Sequence, residues 1–366
     1  MARLHDLYGD YGQSPWLDNL RRGWIASGEL QAWIDRGVRG LTSNPTIFAK
    51  AMIETDDYDH DLAELVGAGS SINDAYWDLV VADINQALGL LRGVHDSSGG
   101  EDGYVSVEVS PALANDEVGT IAAARMLDDR IAAPNLYIKV PATVEGVPAT
   151  KVLISEGRSV NVTLIFSLQR YQAVMDAYLE GLEANPAADL SSVSSVASFF
   201  VSRVDVEVDG RLAEIGSPEA MALRGKAAIA QAQLAYQRFT EAFSGPRWEA
   251  LVSRGARLQR PLWASTSTKD PSYPDTLYVD TLIGPNTINT LPDSTLAAFE
   301  DHGSLARTVD ADPQGPAGVI QALFDLGIDI EDVAAKLEVE GVDSFASSFD
   351  EVLVTLGERA GAVASP

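Results

Sequence analysis

The chain has 366 residues, 46% hydrophobic and 22% charged, enough apolar material for a large buried core, so disorder is not the expectation. Asp and Glu outnumber Lys and Arg by 53 to 26, for a formal charge of −27, and the averaged field repels phosphate backbones and anionic lipid surfaces, which argues against nucleic acid as a partner. There is no Cys, so disulfides, thiolate nucleophiles and thiolate metal sites are excluded.

Residues 1–13 are polar and acidic, without an apolar segment of signal-peptide length, and no later run approaches ~18 uninterrupted apolar residues,. A cytoplasmic protein with no membrane association is expected. Short apolar or β-branched runs then recur at 16–18, 38–42, 104–109, 136–140, 160–166, 196–201, 261–264 and 276–282, eight in all. Helical periodicity fills intervals at 20–35, 73–89, 116–132, 147–156, 168–184 and 218–244,. This alternation is the pattern of βα units and a parallel sheet. Eight such units can close on themselves, and the predicted fold is an α/β (β/α)8 TIM barrel.

An open doubly wound sheet is the competing fold. Against it, no Gly-x-Gly-x-x-Gly follows an early strand, and the glycine-rich stretch 98–103 precedes a strand where that fold needs a helix,. Beyond the eighth run, 319–327, 330–340 and 342–355 read as helices, so 300–366 is expected as a helical extension packed on one barrel domain, 1–366. Low-complexity sequence is confined to the Ser-rich 191–195 and the Ala/Ser tail from 360,.

Lys139 interrupts an otherwise apolar strand, Asn135-Leu136-Tyr137-Ile138-Lys139-Val140-Pro141. Two readings are open: an ordinary salt bridge at a strand end, or an amine whose burial favours the neutral form that attacks a carbonyl carbon. The second needs acid and base groups at other strand ends. Asp18 closes the first run, Asn44 follows the second and Glu108 interrupts the third. On the fifth, Asn161 and Thr163 alternate with Val160, Val162 and Leu164, so both are expected to point into the lumen toward Lys139. The sixth run leads to Arg203 and the seventh to Ser265 and Lys269, which offer the local cations and hydroxyls that an anionic substrate would need in so acidic a protein. His5, His60, His95 and His302 lack a paired ligand spacing, so no metal is expected,.

Taken together, Ser14-Pro-Trp-Leu-Asp-Asn19, Gly40-Leu-Thr-Ser-Asn-Pro-Thr-Ile-Phe48, Ser106-Val-Glu-Val-Ser-Pro111, Tyr137-Ile-Lys-Val-Pro-Ala-Thr143, Asn161-Val-Thr-Leu-Ile-Phe-Ser167 and Ala197-Ser-Phe-Phe-Val-Ser-Arg203 resemble, in content and order, the transaldolase family in its longer bacterial form. The resemblance implies that Lys139 forms a Schiff base with a ketose donor, that Asp18 is the acid/base, and that Glu108 and Thr163 hold the catalytic water. It also implies that Asn44 and Asn161, with Ser198, bind the dihydroxyacetone moiety, that Phe200 shapes the pocket, and that Arg203 grips phosphate. The second phosphate-binding cation departs from the pattern of shorter members, and Lys269 is the candidate. The implied reaction moves a three-carbon ketol unit from sedoheptulose 7-phosphate or fructose 6-phosphate to an aldose phosphate in the pentose phosphate pathway. No cofactor is expected, because the iminium is the electron sink, and the assembly is expected to be a monomer or homodimer. A Schiff-base lyase of the fructose 6-phosphate aldolase type and a non-catalytic sugar-phosphate-binding barrel are the alternatives.

Overall fold

The computed structural model describes residues 3–363. Eight parallel strands close into a barrel in sequence order: β1 (Gln13–Leu17), β2 (Leu41–Thr42), β3 (Val105–Glu108), β4 (Leu136–Pro141), β5 (Val160–Ile165), β6 (Ser195–Phe200), β7 (Gln259–Ala264) and β8 (Thr287–Leu291). Nearly every strand residue is buried, as expected for a parallel sheet covered on both faces,. Because side chains alternate along a strand, the parallel register sorts them into two sets. Glu108 pairs with Lys139, Lys139 with Asn161, Asn161 with Val196, and Ser198 with Leu262. One face therefore carries Glu108, Lys139, Asn161, Thr163, Ser198 and Phe200, and this face is the lumen.

The lower lumen is plugged by a buried charge network. Asp102, in the loop before β3, accepts from Ser14 Oγ at 2.7 Å, Trp16 Nε1 at 3.1 Å, Arg39 Nε at 2.8 Å and an Arg260 Nη at 2.9 Å. Burial pushes its carboxyl up, but Arg260 and Arg39 together outweigh that and hold it below the usual range,. The Trp16 ring in this plug leaves no room beside it: a Cβ on Gly40 would come within 2.3 Å of the indole.

Seven of the eight expected strands fall where the sequence places them, but the eighth does not. Residues 276–282 contain the short helix Leu277–Asp280, across which Thr276 Oγ1, just before it, donates to Asp280 Oδ2 at 2.8 Å. The strand lies after the turn at Gly284-Pro285-Asn286. Its polar residues Thr287 and Asn289 each have a buried partner: Gln13 Nε2 donates to Thr287 Oγ1, and Thr266 Oγ1 donates to Asn289 Oδ1.

Two long helices expected from periodicity are each broken by a glycine. Gly28, at φ 83°, separates Arg22–Ser27 from Glu29–Asp35, and Gly225, at φ 71°, lies in the break between Pro218–Met221 and Ala227–Ala242,. In contrast, the stretches 330–340 and 342–355 merge into one helix, Ile330–Val363. The Ala/Ser tail begins inside that helix, and positions 364–366 lie outside the described residues.

This last helix crosses the C-terminal mouth of the barrel. On one side Arg211 pairs with Asp332, Lys336 with Glu207, and Arg170 with Glu338. On the other side Thr46 meets Ser348 at 2.9 Å, Phe349 packs edge-on to Tyr76, and Arg359 donates to the carbonyls of Ile53 and Thr55.

Candidate active site

At the mouth, the strand ends enclose a cavity of about 140 Å³. Its wall includes Asp18, Asn44, Lys139, Thr163, Ser198, Phe200, Arg203, Ser265 and Lys269, nine of the eleven residues singled out from sequence. The other two, Glu108 and Asn161, lie behind that wall. Glu108 stands against Lys139, and Asn161 spends its side chain on the layer beneath, donating to Ser106 Oγ at 3.0 Å and accepting from Ser198 Oγ at 2.7 Å.

Lys139 is 4% exposed. It is not the lone cation that its strand sequence suggests: its Nζ is 3.1 Å from Glu108 Oε2 and donates to the Ser43 carbonyl at 3.1 Å. The register explains the pairing, because Glu108 and Lys139 are direct cross-strand neighbours on the lumen face,. Both carboxyls of the site are pushed above their ordinary range. Burial is the main cause for Glu108 and for Asp18, with Lys139 acting in the opposite direction on each,. Asp18 keeps part of its surface open to the cleft and is oriented by Thr42 Oγ1, which donates to its Oδ1 at 2.7 Å. Thr42 Oγ1 also lies 2.6 Å from Thr290 Oγ1.

Asn44 follows β2 and caps the helix Pro45–Glu54, its Oδ1 accepting from the Ile47 amide at 2.9 Å,. Only its NH2 group is left to face a ligand. Thr163 Oγ1 is buried without a hydrogen-bond partner among the described residues, so its hydroxyl is available to the cavity. The register between β5 and β6 shifts between Val162 and Ile165, where Leu164 adopts φ 58°, and this irregularity immediately follows Thr163.

Arg203 is not at a strand end, as the sequence suggested, but in the first turn of the helix Ser202–Ile215 that follows β6. It makes no hydrogen bond or ion pair with another described residue. Its guanidinium lies over Phe200, 5.4 Å from the ring centre. Burial, the largest influence on it, disfavours its charged form, while Asp18, Glu340 and Glu108 favour it. The Lys269 ammonium donates only to Ser267 Oγ at 2.6 Å among the described residues; burial and Arg203 both pull its pKa down. Two cations without carboxylate partners among the described residues, in a chain of net charge −27, make this end of the cavity suited to an anion. Ser265, at φ 56°, is held by a hydroxyl contact to Ser202 at 2.9 Å.

Sequence reasoning missed Thr42, Ser267, Thr290 and Phe345 from the cavity wall. Thr42 shares the alternating polar pattern of its strand end and was legible in principle. Thr290 sits on the misplaced eighth strand, and Phe345 comes from the C-terminal helix, where nothing in its local sequence points to a site.

A cluster of His60, Asp61 and Glu64 could in geometry approach a cation, but it is exposed and Asp61 is engaged by Arg22 at 2.7 Å. Among the described residues, no helix is long and apolar enough to cross a membrane.

Comparison with known proteins adds an independent observation. A family model described as Transaldolase/Fructose-6-phosphate aldolase matches residues 15–356. A relative named "Transaldolase" from Parafrankia sp. (strain EAN1pec) is 51% identical over 358 residues, 97% of each chain. One of the same name from Thermobifida fusca (strain YX) is 50% identical over 96% of this chain and 97% of its own. "Transaldolase 2" of Streptomyces coelicolor is 48% identical over 94% of both.

Proposed function

The chain belongs to the transaldolase/fructose-6-phosphate aldolase family, and from that premise we propose that it transfers a dihydroxyacetone unit between sugar phosphates through a Schiff base on Lys139. It is a transferase of the transaldolase type built on a (β/α)8 barrel. The observation that carries the residue assignment is the buried Lys139 amine, flanked by Glu108 at 3.1 Å and sharing a cavity with Asp18, Arg203 and Lys269.

In the proposed sequence, Lys139 Nζ adds to C2 of fructose 6-phosphate or sedoheptulose 7-phosphate, and loss of water gives the iminium. Glu108 and Thr163 hold that water. A buried carboxyl whose pKa is raised takes up a proton more readily than an exposed one, which suits Asp18 to accept the C4 hydroxyl proton. The C3–C4 bond then breaks, its electron pair becomes the enamine, and the aldose phosphate leaves. An incoming aldose carbonyl is attacked by C3, Asp18 returns the proton to the new C4 oxygen, and hydrolysis frees the product and the lysine. Asn44 and Ser198 bind the three-carbon unit, with Asn161 acting through its hold on Ser198, while Phe200 shapes the wall. Arg203, Lys269 and Ser265 bind the phosphate.

We place this reaction in the cytoplasm, in a single folding domain whose C-terminal helices belong to the barrel. Borohydride added with fructose 6-phosphate should leave a reduced dihydroxyacetone adduct on Lys139, located by peptide mass mapping. An adduct elsewhere, or none, rejects the assignment. Cleavage as fast without an aldose acceptor as with one would favour the aldolase chemistry also represented in the family.

A further inference from the structure

We infer that Phe345, on the C-terminal helix Ile330–Val363, is a specificity-determining residue: its ring roofs the carbon chain of the bound sugar, keeps bulk water from the Schiff base, and directs the three-carbon unit to an aldose instead of water. The inference deepens the function proposed above and rests on it.

Phe345 is the only residue of that helix in the cavity wall among the described residues. It is 3% exposed, and its ring centre lies 5.7 Å from Lys139 Nζ and 5.9 Å from Arg203 Cζ. One ring thus faces both the nitrogen that would hold C2 and the cation that would hold the phosphate, so the chain joining these two ends must pass beneath it. The height of the roof is fixed by the backbone one turn earlier. A Cβ on Gly341 would lie 3.1 Å from Leu164 Cδ2 and 3.7 Å from an Arg203 Nη, so the helix rests directly on the end of β5. Ion pairs to Glu207 and from Arg170 and Arg211 anchor the helix on one side, and Arg359 anchors it on the other. A fixed apolar ring over a reacting iminium excludes water and strengthens the electrostatic interactions beneath it.

The competing water branch is chemically defined. After C3–C4 cleavage, Asp18 gives its proton to C3 of the enamine and water adds to C2. The C2–N bond breaks with its electron pair returning to Lys139, and dihydroxyacetone leaves. Opening the roof admits water to C2 and should promote this branch over capture of the aldose.

The test measures dihydroxyacetone release without acceptor, and transfer to erythrose 4-phosphate, on the full chain carrying Phe345→Ala, Phe345→Leu or Val352→Ala. Val352 is fully buried in the same helix but absent from the cavity wall, so it reports loss of helix packing alone. The release-to-transfer ratio should rise about tenfold in Phe345→Ala, less in Phe345→Leu, and stay at the parent value in Val352→Ala, a tenfold ratio being about 1.4 kcal/mol between two barriers. If Phe345→Ala does not fold, Phe345→Leu carries the comparison. An unchanged ratio with the Lys139 adduct still trapped, or an equal rise in Val352→Ala, overturns the role of Phe345 and leaves the transfer chemistry standing. Failure to trap the adduct in the parent protein overturns both.

Discussion

Glu108 Oε2 lies 3.1 Å from Lys139 Nζ, and the two residues face each other across β3 and β4 in direct register. The pair lies in the barrel interior, with both side chains nearly inaccessible. A buried ion pair in such surroundings is poor evidence for stability, since desolvation offsets most of the attraction. In the mechanism proposed above, Glu108 and Asp18, both pushed up chiefly by burial, exchange protons with the amine and with substrate hydroxyls.

Lys139→Ala should remove the nucleophile without opening a large hole. Turnover is expected to fall by at least about 10³-fold, with fold and cavity intact, since loss of the covalent step is not compensated by binding alone. Coupled assay of transfer and circular dichroism together check this. Near-normal turnover would reject the covalent route.

Glu108→Gln tests the coupling between the two carboxyls. The Asp18 charge is one of the influences that raise the Glu108 carboxyl, while the influences on Asp18 are burial, Lys139, Thr42, Arg203 and Lys269, so Glu108 is the later of the two to ionise. The acid limb of kcat against pH should therefore begin above the ordinary carboxylate range in the parent and move to lower pH in the variant, where Asp18 alone sets it. The rate at the optimum should drop by about 10²-fold from loss of a proton carrier. An unmoved acid limb would show that Glu108 does not set it.

Arg203→Ala should reduce kcat/KM for phosphorylated donors by about 10²-fold, or roughly 3 kcal/mol, in line with losing charge-assisted hydrogen bonds. The effect on unphosphorylated fructose should be small. Lys269→Ala should cost about tenfold, because this lysine sits on an exposed, flexible stem,. Equal losses for phosphorylated and free sugars would assign Arg203 to another task.

Asp205 provides a stability test apart from catalysis. It is almost fully buried, accepts from the Ala228 amide at 2.8 Å and from Tyr278 Oη at 2.9 Å, and burial, its largest influence, pushes its pKa up to about 6. A carboxyl raised on folding lends stability that is complete below the unfolded value near 4 and is lost as pH rises through about 6. Between pH 4 and pH 8 the unfolding free energy of Asp205→Asn should therefore gain on the parent by about 2–3 kcal/mol. Urea unfolding at both pH values measures it, and a difference independent of pH would contradict it.

The strands that build the site were legible because a buried parallel strand needs a continuous apolar run, and a polar residue within such a run is conspicuous. Lys139, Glu108, Asn161 and Thr163 all announced themselves in this way. The eighth strand misled because Thr276, Tyr278, Val279 and Thr281 have the residue types of a strand while forming a helical turn, and the real strand carries Thr and Asn whose partners come from β1 and the loop after β7.

By itself, the sequence determined the alternation of elements, hence the barrel, and the identity of the polar residues at its strand ends, because periodicity and local polarity are properties of neighbouring residues. Only the tertiary structure decided that Glu108 faces the Lys139 amine, that Asn161 supports the wall from behind, and that Phe345, more than two hundred residues from Lys139, roofs the same cavity. Those relationships depend on strand register and on where the last helix docks, which long-range packing sets and no local pattern encodes.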